Sequence, residues 1–400
     1  MRGVTLLVLI FLFFLGLFLF FFRWSVQQEL PVVGDPPAMP EPGVVQDPPN
    51  RSVREVAAGL ERVRALEAAP EGGVFVGERS GRIRLLHQDV PDPVEWLALE
   101  VADVEGGGLL DLAFQGAGEG GPALYAYLTA VIEEDQDAPP WGRSFEGRVI
   151  RIPVEGGEPG TPEPIREGLP AGPRNNGGRL AFGPDGMLYA ALGDAGEPRR
   201  AQEAADPAGA ILRMTPSGEA PSDNPWVESA GAAGLTWALG FRDVRGLAWH
   251  PDTGSLFAAD RGPSGEWEGI DHLDELNVVE RGANHGWPEV VGAPGIEAYQ
   301  DPLAAWVPGH PPGDLTFARD GWLLMTVVEP AAVLWMRVER GDGRYEITTL
   351  EEWSPDQAGD GPFRAPVALA EAPGEGVYLA IGGAEDRGDR VLRLEAVEDE

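Results

Sequence analysis

One unit recurs along this chain, and it is too short to fold alone. An apolar strand enters a turn carrying Gly and usually Asp or Pro, and a second apolar strand leaves it. The unit starts at Ala65 (ALEAAPEGGVFVGE), Leu109 (LLDLAFQGAGEGGPALYAYLT), Leu180 (LAFGPDGMLYAALGD), Leu247, Leu315 and Val367. Turns of this composition supply the backbone angles a hairpin needs. The second strands begin near Val74, Leu124, Leu188, Leu256, Leu323 and Val377, at separations of 50, 64, 68, 67 and 54 residues. A third strand of aliphatic-x-Arg character tends to follow, as in GRIRLLH at Gly81 and AILRMTP at Ala210. Six sheet units with uneven loops predict an all-β fold, a six-bladed β-propeller, because radial repetition leaves few exposed strand edges. A two-sheet β-sandwich is the competing reading. The segment RSVREVAAGL at Arg51 is placed to close the ring against the last unit.

Charge and the chain ends bound what such a ring can do. The formal net charge is -35, which disfavours nucleic acid and anionic membrane surfaces as partners. Every basic residue is arginine, and there is no cysteine, so disulfides, thiolate nucleophiles and cysteine-metal sites are excluded. Val4 to Phe22 is a run of nineteen residues without a charge. As a helix it spans a ~30 Å hydrocarbon core. No A-x-A-like cleavage site follows it, so a membrane-spanning anchor is expected rather than a cleaved signal. Arg2 and the amino terminus slightly outweigh Arg23, which favours export of the remainder, to the periplasmic or extracellular side. Seven prolines between Pro31 and Pro49 predict an extended, semi-rigid stalk. The expected organisation is an anchor over residues 1–23, a linker over 24–52 and a propeller over 53–400.

Five phrases then stand in a particular order: GLLDLAF, GGRLAFGPDGMLYAALGDAG, AILRM, GLAWHPDTGSLFAADRGP and DELNVVERGANHGWP. Together, from about Val53 to Val397, they resemble the glucose/sorbosone dehydrogenases, quinoprotein aldose dehydrogenases that use pyrroloquinoline quinone (PQQ) and calcium. The resemblance implies a six-bladed propeller and a sugar substrate; it does not name the electron acceptor. Oxidising an aldose needs a base for the hydroxyl proton, cations for the carboxylates of PQQ, and oxygen ligands for calcium.

Carried over residue by residue, the resemblance is incomplete. Asn175 stands where the family has its catalytic His, and an amide cannot accept a proton. Asn176, Gly178 and Arg179 fit that motif. In the second motif, FRDVRGLAW, Arg242 and Gly246 are kept, while Asp243 puts a negative charge beside an anionic cofactor unless Arg245 or calcium compensates. Gly262 and Pro263, in DRGP, match the turn whose carbonyls hold calcium. Arg364 is a further candidate for the cofactor cradle, and no lysine is available. Each has a plainer reading as well. Asn175 and Asn176 could cap a hairpin, Arg179 could pair between blades, and Gly262-Pro263 is a common turn. Among the histidines, His285 reads as packing and His272 as the one candidate for a relocated base. Three classes stay open: a dehydrogenase with an altered base, a degenerate propeller that binds a sugar or other ligand without oxidising it, and a calcium-dependent hydrolase or interaction propeller.

Overall fold

The second strands of the repeats are apolar on both sides, as in VFVGE, LYAAL and LFAAD, and each of these three is buried along its whole length. Such a strand needs a packed neighbour on each face. The computed structural model supplies them. It describes Phe13 and residues 30–397, apart from 70–71, 88–92, 105, 117, 119, 133–143, 229–233, 265–269, 271–272, 356–364, 373–375 and 384–387. Each repeat forms an antiparallel blade, and the six blades run in sequence order through six separate sheets. Their first strands are Val63–Ala68, Leu109–Gln115, Gly177–Phe182, Val244–Trp249, Pro312–Phe317 and Pro366–Glu371. Each first strand touches the first strand of the next blade, and the last touches the first, so these six form the inner ring. Six apolar clusters fill the six gaps between blades.

The ring closes as the sequence predicts. Arg51–Leu60 pairs antiparallel with Asp389–Ala396 and completes the sixth blade. The sandwich reading is excluded. Among the described residues no helix is long and apolar enough to cross a membrane, and the Val4 to Phe22 run lies outside them save for Phe13.

The proline-rich segment corrects an expectation. Rather than standing off as a stalk, its described part from residue 30 lies along the propeller. Val32–Val33 pairs in parallel with Val290–Val291 of blade 4's outer loop, and Gly43–Val45 pairs with Glu351–Trp353 at the edge of blade 5. Gly34 sits so close to Ala293 and Pro294 that a Cβ there would fall 2.1 Å from the Pro294 nitrogen. The prolines lack N–H groups, but Val32 and Gly34 keep theirs and donate to Glu289 and Val291 carbonyls at 2.9 and 2.8 Å.

A sixfold irregularity shapes the inside of the ring. Every first strand carries a β-bulge at the same offset: Arg64, Leu110, Gly178, Arg245, Gly313 and Val367 are the extra residues. A bulge bends a strand and redirects its side chain. Just beyond it, acids clip one inner strand to the next. Asp111 accepts the Leu180 N–H at 2.8 Å, Asp314 the Leu369 N–H at 2.8 Å, and Glu67 the Phe114 N–H at 3.1 Å.

Candidate functional site

The loop before blade 3 carries Asn175 in the left-handed region, φ 54°, a conformation asparagine tolerates better than most residues. It is pressed against the end of the blade's second strand: a Cβ on Gly193 would lie 1.9 Å from the Asn175 carbonyl oxygen. That contact concerns the backbone; the side chain is held by Asp194. Asn175 Nδ2 donates to Asp194 Oδ1 at 3.0 Å, and Trp287 Nε1 donates to the other carboxylate oxygen at 2.9 Å. Asp194 is fully buried. Burial pushes its carboxyl up, against the opposing effect of Asn175 and the Gly196 N–H.

Blade 4 supplies the facing wall. Asp260, at the end of its second strand, accepts the backbone N–H groups of Arg242 and Asp243 at 2.9 and 2.7 Å and so fixes both residues. The Arg242 guanidinium lies over Trp287, 5.6 Å from the ring centroid, and donates to the Arg261 carbonyl and to Ser264 Oγ. The Asp243 carboxylate accepts from Gly177 N at 3.0 Å and is paired by Arg245 at 2.8 Å. Burial alone would raise the Asp243 carboxyl; Arg245, Arg242 and the Gly177 N–H together hold it below the usual carboxylate range. The charge at Asp243 is thus met by Arg245 within the protein.

The turn at Gly262 and Pro263 lies beside this wall, with the Gly262 N–H on Asp274 Oδ1 at 2.8 Å. Gly262, Pro263, Arg242, Glu275 and His285 border a cavity of about 10 Å³, the size of one water. Among the described residues no three His, Asp or Glu side chains converge as a metal site, so a cation here would rely on backbone carbonyls. His285 is a packing residue. It stacks on Phe241 with centroids 4.5 Å apart, meets Asn277 Oδ1 at 3.1 Å, and burial pushes its imidazole down to about 3.

Two of the sequence candidates stand in structural roles. Asn176 spends its amide on the loop, accepting from Gly172 N and donating to the Gly106 and Gly172 carbonyls. Arg179 is buried between two acids, 3.2 Å from Asp111 and 3.5 Å from Asp314, and also donates to the Gly313 carbonyl. Arg364 and His272 lie outside the described residues. The structure therefore brings together Asn175, Arg242, Asp243 and the Gly262-Pro263 turn. Sequence reasoning missed Asp194 and Trp287. Asp194 could have been found as the first acid after a wholly apolar strand.

The buried acids give the ring a pH dependence. Burial pushes Asp260 up to about 7, and Glu67 and Glu275 up to about 8. A carboxyl raised in the folded state keeps a proton that the unfolded chain has released, so its stabilisation is present at low pH and lost as pH rises toward 7–8. His285 opposes this only below its ordinary value of 6.5. Melting temperature should therefore fall from about pH 6.5 to about pH 8.5 at fixed ionic strength, by roughly a few degrees for a domain this size. A rise across that window would contradict these protonation states.

The six-bladed ring gathers Asn175, Arg242, Asp243 and the Gly262 turn where blades 3 and 4 meet. The family model for glucose / sorbosone dehydrogenase matches residues 60–327, and the chain belongs to that family. A Thermus thermophilus structure, provisionally assigned as an oxidoreductase (glucose dehydrogenase), is 36% identical, with a TM-score of 0.75, and is matched over 86% of this chain and 99% of its own. The PQQ-bound aldose sugar dehydrogenase of Streptomyces coelicolor is 29% identical, with a TM-score of 0.70, over 87% and 99%. Quinoprotein glucose dehydrogenase B of Acinetobacter calcoaceticus is 26% identical over 301 residues, 66% of this chain and 58% of that protein.

Proposed function

We propose that this protein is an exported, membrane-tethered propeller that retains the ligand mouth of the sugar dehydrogenases and lacks their proton acceptor, so that it binds a sugar or related ligand with little or no oxidation. One observation carries this reading: the side chain at the position of the family base is an amide donating to a buried aspartate. Neither group of that pair is poised as a base. Asn175 has no basic nitrogen, and both oxygens of Asp194 already accept hydrogen bonds.

The charges of this region still suit an anionic cofactor. Arg242 is a buried cation in its wall, Asp243 is paired by Arg245, and Gly262 and Pro263 border the same small cavity, so that their carbonyls would be the oxygen ligands of a divalent ion. Bound PQQ would supply the hydride-accepting quinone there. The chain's own residues would do the rest: Arg242 would meet a carboxylate, Trp287 would keep that arginine in place, and Asn175 could donate or accept one hydrogen bond at the sugar hydroxyl without removing its proton.

Full-length protein in detergent, titrated with PQQ and calcium and followed by difference absorbance and dye reduction with aldoses, tests the reading. Binding without appreciable turnover is expected. Rapid turnover would place the base elsewhere, with His272→Ala as the next variant. Calcium alone should raise the melting temperature saturably, since a ligand specific to the folded state stabilises it by mass action. Magnesium should do much less, because it demands a more regular shell. Equal responses to the two ions would indicate screening of the net charge instead. Protease added to intact cells should remove the propeller, and full protection would rule out export.

A further inference from the structure

A cleft of about 880 Å³ opens on the side of the ring away from Asn175. Leu256 borders it, while Asp260, at the other end of the same strand, borders the small cavity beside Gly262. Four residues of strand separate the two by roughly 13 Å. The hairpin turns of blades 3 and 4, at Asp185 and Gly254, also border the cleft.

Blade 5 builds the opposing wall. Its outer hairpin, Ala332–Gly341 with Arg344–Trp353, has ten residues in each strand, whereas the third strand of blade 4, Asp274–Val279, has six. The surplus carries Arg340, Arg344 and Tyr345 across to blade 4. There the Tyr345 hydroxyl lies 2.6 Å from Thr253 Oγ1 and donates to Ser255 Oγ at 2.9 Å. The Arg340 guanidinium covers the Tyr345 ring, 5.6 Å from its centroid.

Where blades 3 and 4 meet, the lining is aromatic. Tyr189 meets Trp237 and Trp249 edge-on, with centroids 5.7 and 4.8 Å apart, and both tryptophans stay half-buried. Tyr299, also half-buried, borders the cleft from blade 4's outer loop. The charges are mixed, with four carboxylates and three guanidiniums around the cleft. Among the described residues the side chains of Glu280, Glu297, Gln300 and Arg344 form neither a hydrogen bond nor an ion pair, so acceptors and donors are both on offer.

These features select a class of ligand. An anion is repelled by the carboxylates and a cation by the guanidiniums. A hydroxyl both donates and accepts, so it pairs with either. A sugar ring joins such hydroxyls to apolar C–H faces, which can lie against aromatic rings. The volume is near the upper end of the ~300–1,000 Å³ that ligand pockets span, which suits several sugar rings rather than one. We propose that this cleft is a second binding site, for a neutral oligosaccharide, formed by the aromatic side chains of blades 3 and 4 and the outer hairpin of blade 5. The site does not rest on the dehydrogenase reading.

Cellotetraose, maltotetraose and xylotetraose are the probes, each reduced to its alditol so that no aldose is offered to the Asn175 side of the ring. They are added to full-length protein in a detergent without a sugar headgroup, with neither PQQ nor calcium. At least one should bind saturably in calorimetric titration, and the anionic tetragalacturonate should bind more weakly than that one. Trp249→Ala and Trp237→Ala should each weaken binding by about tenfold, the scale of a lost aromatic contact. Asn175→His should bind the probe as wild type does. Hydrogen exchange in the wild type should slow at residues 295–303 and 340–346 when the sugar binds, which keeps the test decisive should a tryptophan variant not fold. No binding by any of the three, tighter binding of tetragalacturonate, undiminished binding by both tryptophan variants, or protection confined to other segments would overturn the site.

Discussion

Asn175→His is expected to raise aldose oxidation, with PQQ and calcium present, by about 10²- to 10⁴-fold, the range a positioned general base contributes. The expectation rests on what already surrounds position 175. Asp194 lies 3.0 Å from the Asn175 amide nitrogen, buried, with Trp287 bonded to its second oxygen. An imidazole placed there could donate one ring N–H to Asp194 and turn its other nitrogen outward as the acceptor. A carboxylate behind the ring fixes the tautomer and steadies the cation formed on proton uptake. The gained activity should therefore rise with pH through the histidine range. Asn175→Gln, which adds no base, should give nothing. Activity that appears without a histidine-like inflection would mean that the substitution acts by loosening the loop.

Asp243 is a second check on the same site. Its charge is met by Arg245 at 2.8 Å, and its Oδ1 holds Gly177 N at the root of the Asn175 loop. Asp243→Asn keeps the loop contact and frees Arg245, so in the Asn175→His background it should tighten PQQ binding. Should the double variant bind no PQQ by difference absorbance, the pocket belongs to another ligand.

The outline of the ring was legible because its cause is local. Each repeat carries its own turn chemistry and its own two-sided apolar strand, and those two features force a blade that needs neighbours. Even the closing strand at Arg51 was visible, since ten residues of strand character lay outside any hairpin. The linker was misread because proline content speaks to stiffness, not to what the segment lies against; its pairing uses backbone groups of Val32, Gly34 and Gly43 to Val45. The site was legible only as positions in a motif. Arg179 and Arg242 look alike in sequence, yet one is locked between Asp111 and Asp314 and the other reaches the Gly262 turn. Which arginine meets which acid depends on blades that are far apart in the chain.

The largest effect on stability is expected from the closing strand. A chain beginning at residue 61 should show no cooperative melting transition, whereas one beginning at residue 50 should melt cooperatively. Arg51–Leu60 is the outermost strand of blade 6, yet it is bound at both ends. Leu60 and Ala57 are buried in the gap between blades 6 and 1. Arg51 has a fully buried side chain, pairs with Asp320 of blade 5 at 3.0 Å and lies over Trp335, 5.2 Å from the ring centroid. Removing the strand strips Leu392 and Leu394 of their neighbours and leaves Asp389–Ala396 as an unpaired edge. Losing a buried leucine such as Leu60 costs about 2–5 kcal/mol on its own, against a total stability of about 5–15 kcal/mol for a typical domain. The remaining losses then exceed what is left. Residues 30–49 contribute less, through short parallel pairings on blades 4 and 5, so a chain starting at residue 50 should lose only a few degrees relative to one starting at residue 30. A synthetic peptide of residues 50–60, added to the chain that begins at residue 61, should restore a transition in proportion to its concentration. A chain lacking the strand that melts cooperatively without the peptide would show that five complete blades and a three-stranded sixth hold the ring by themselves.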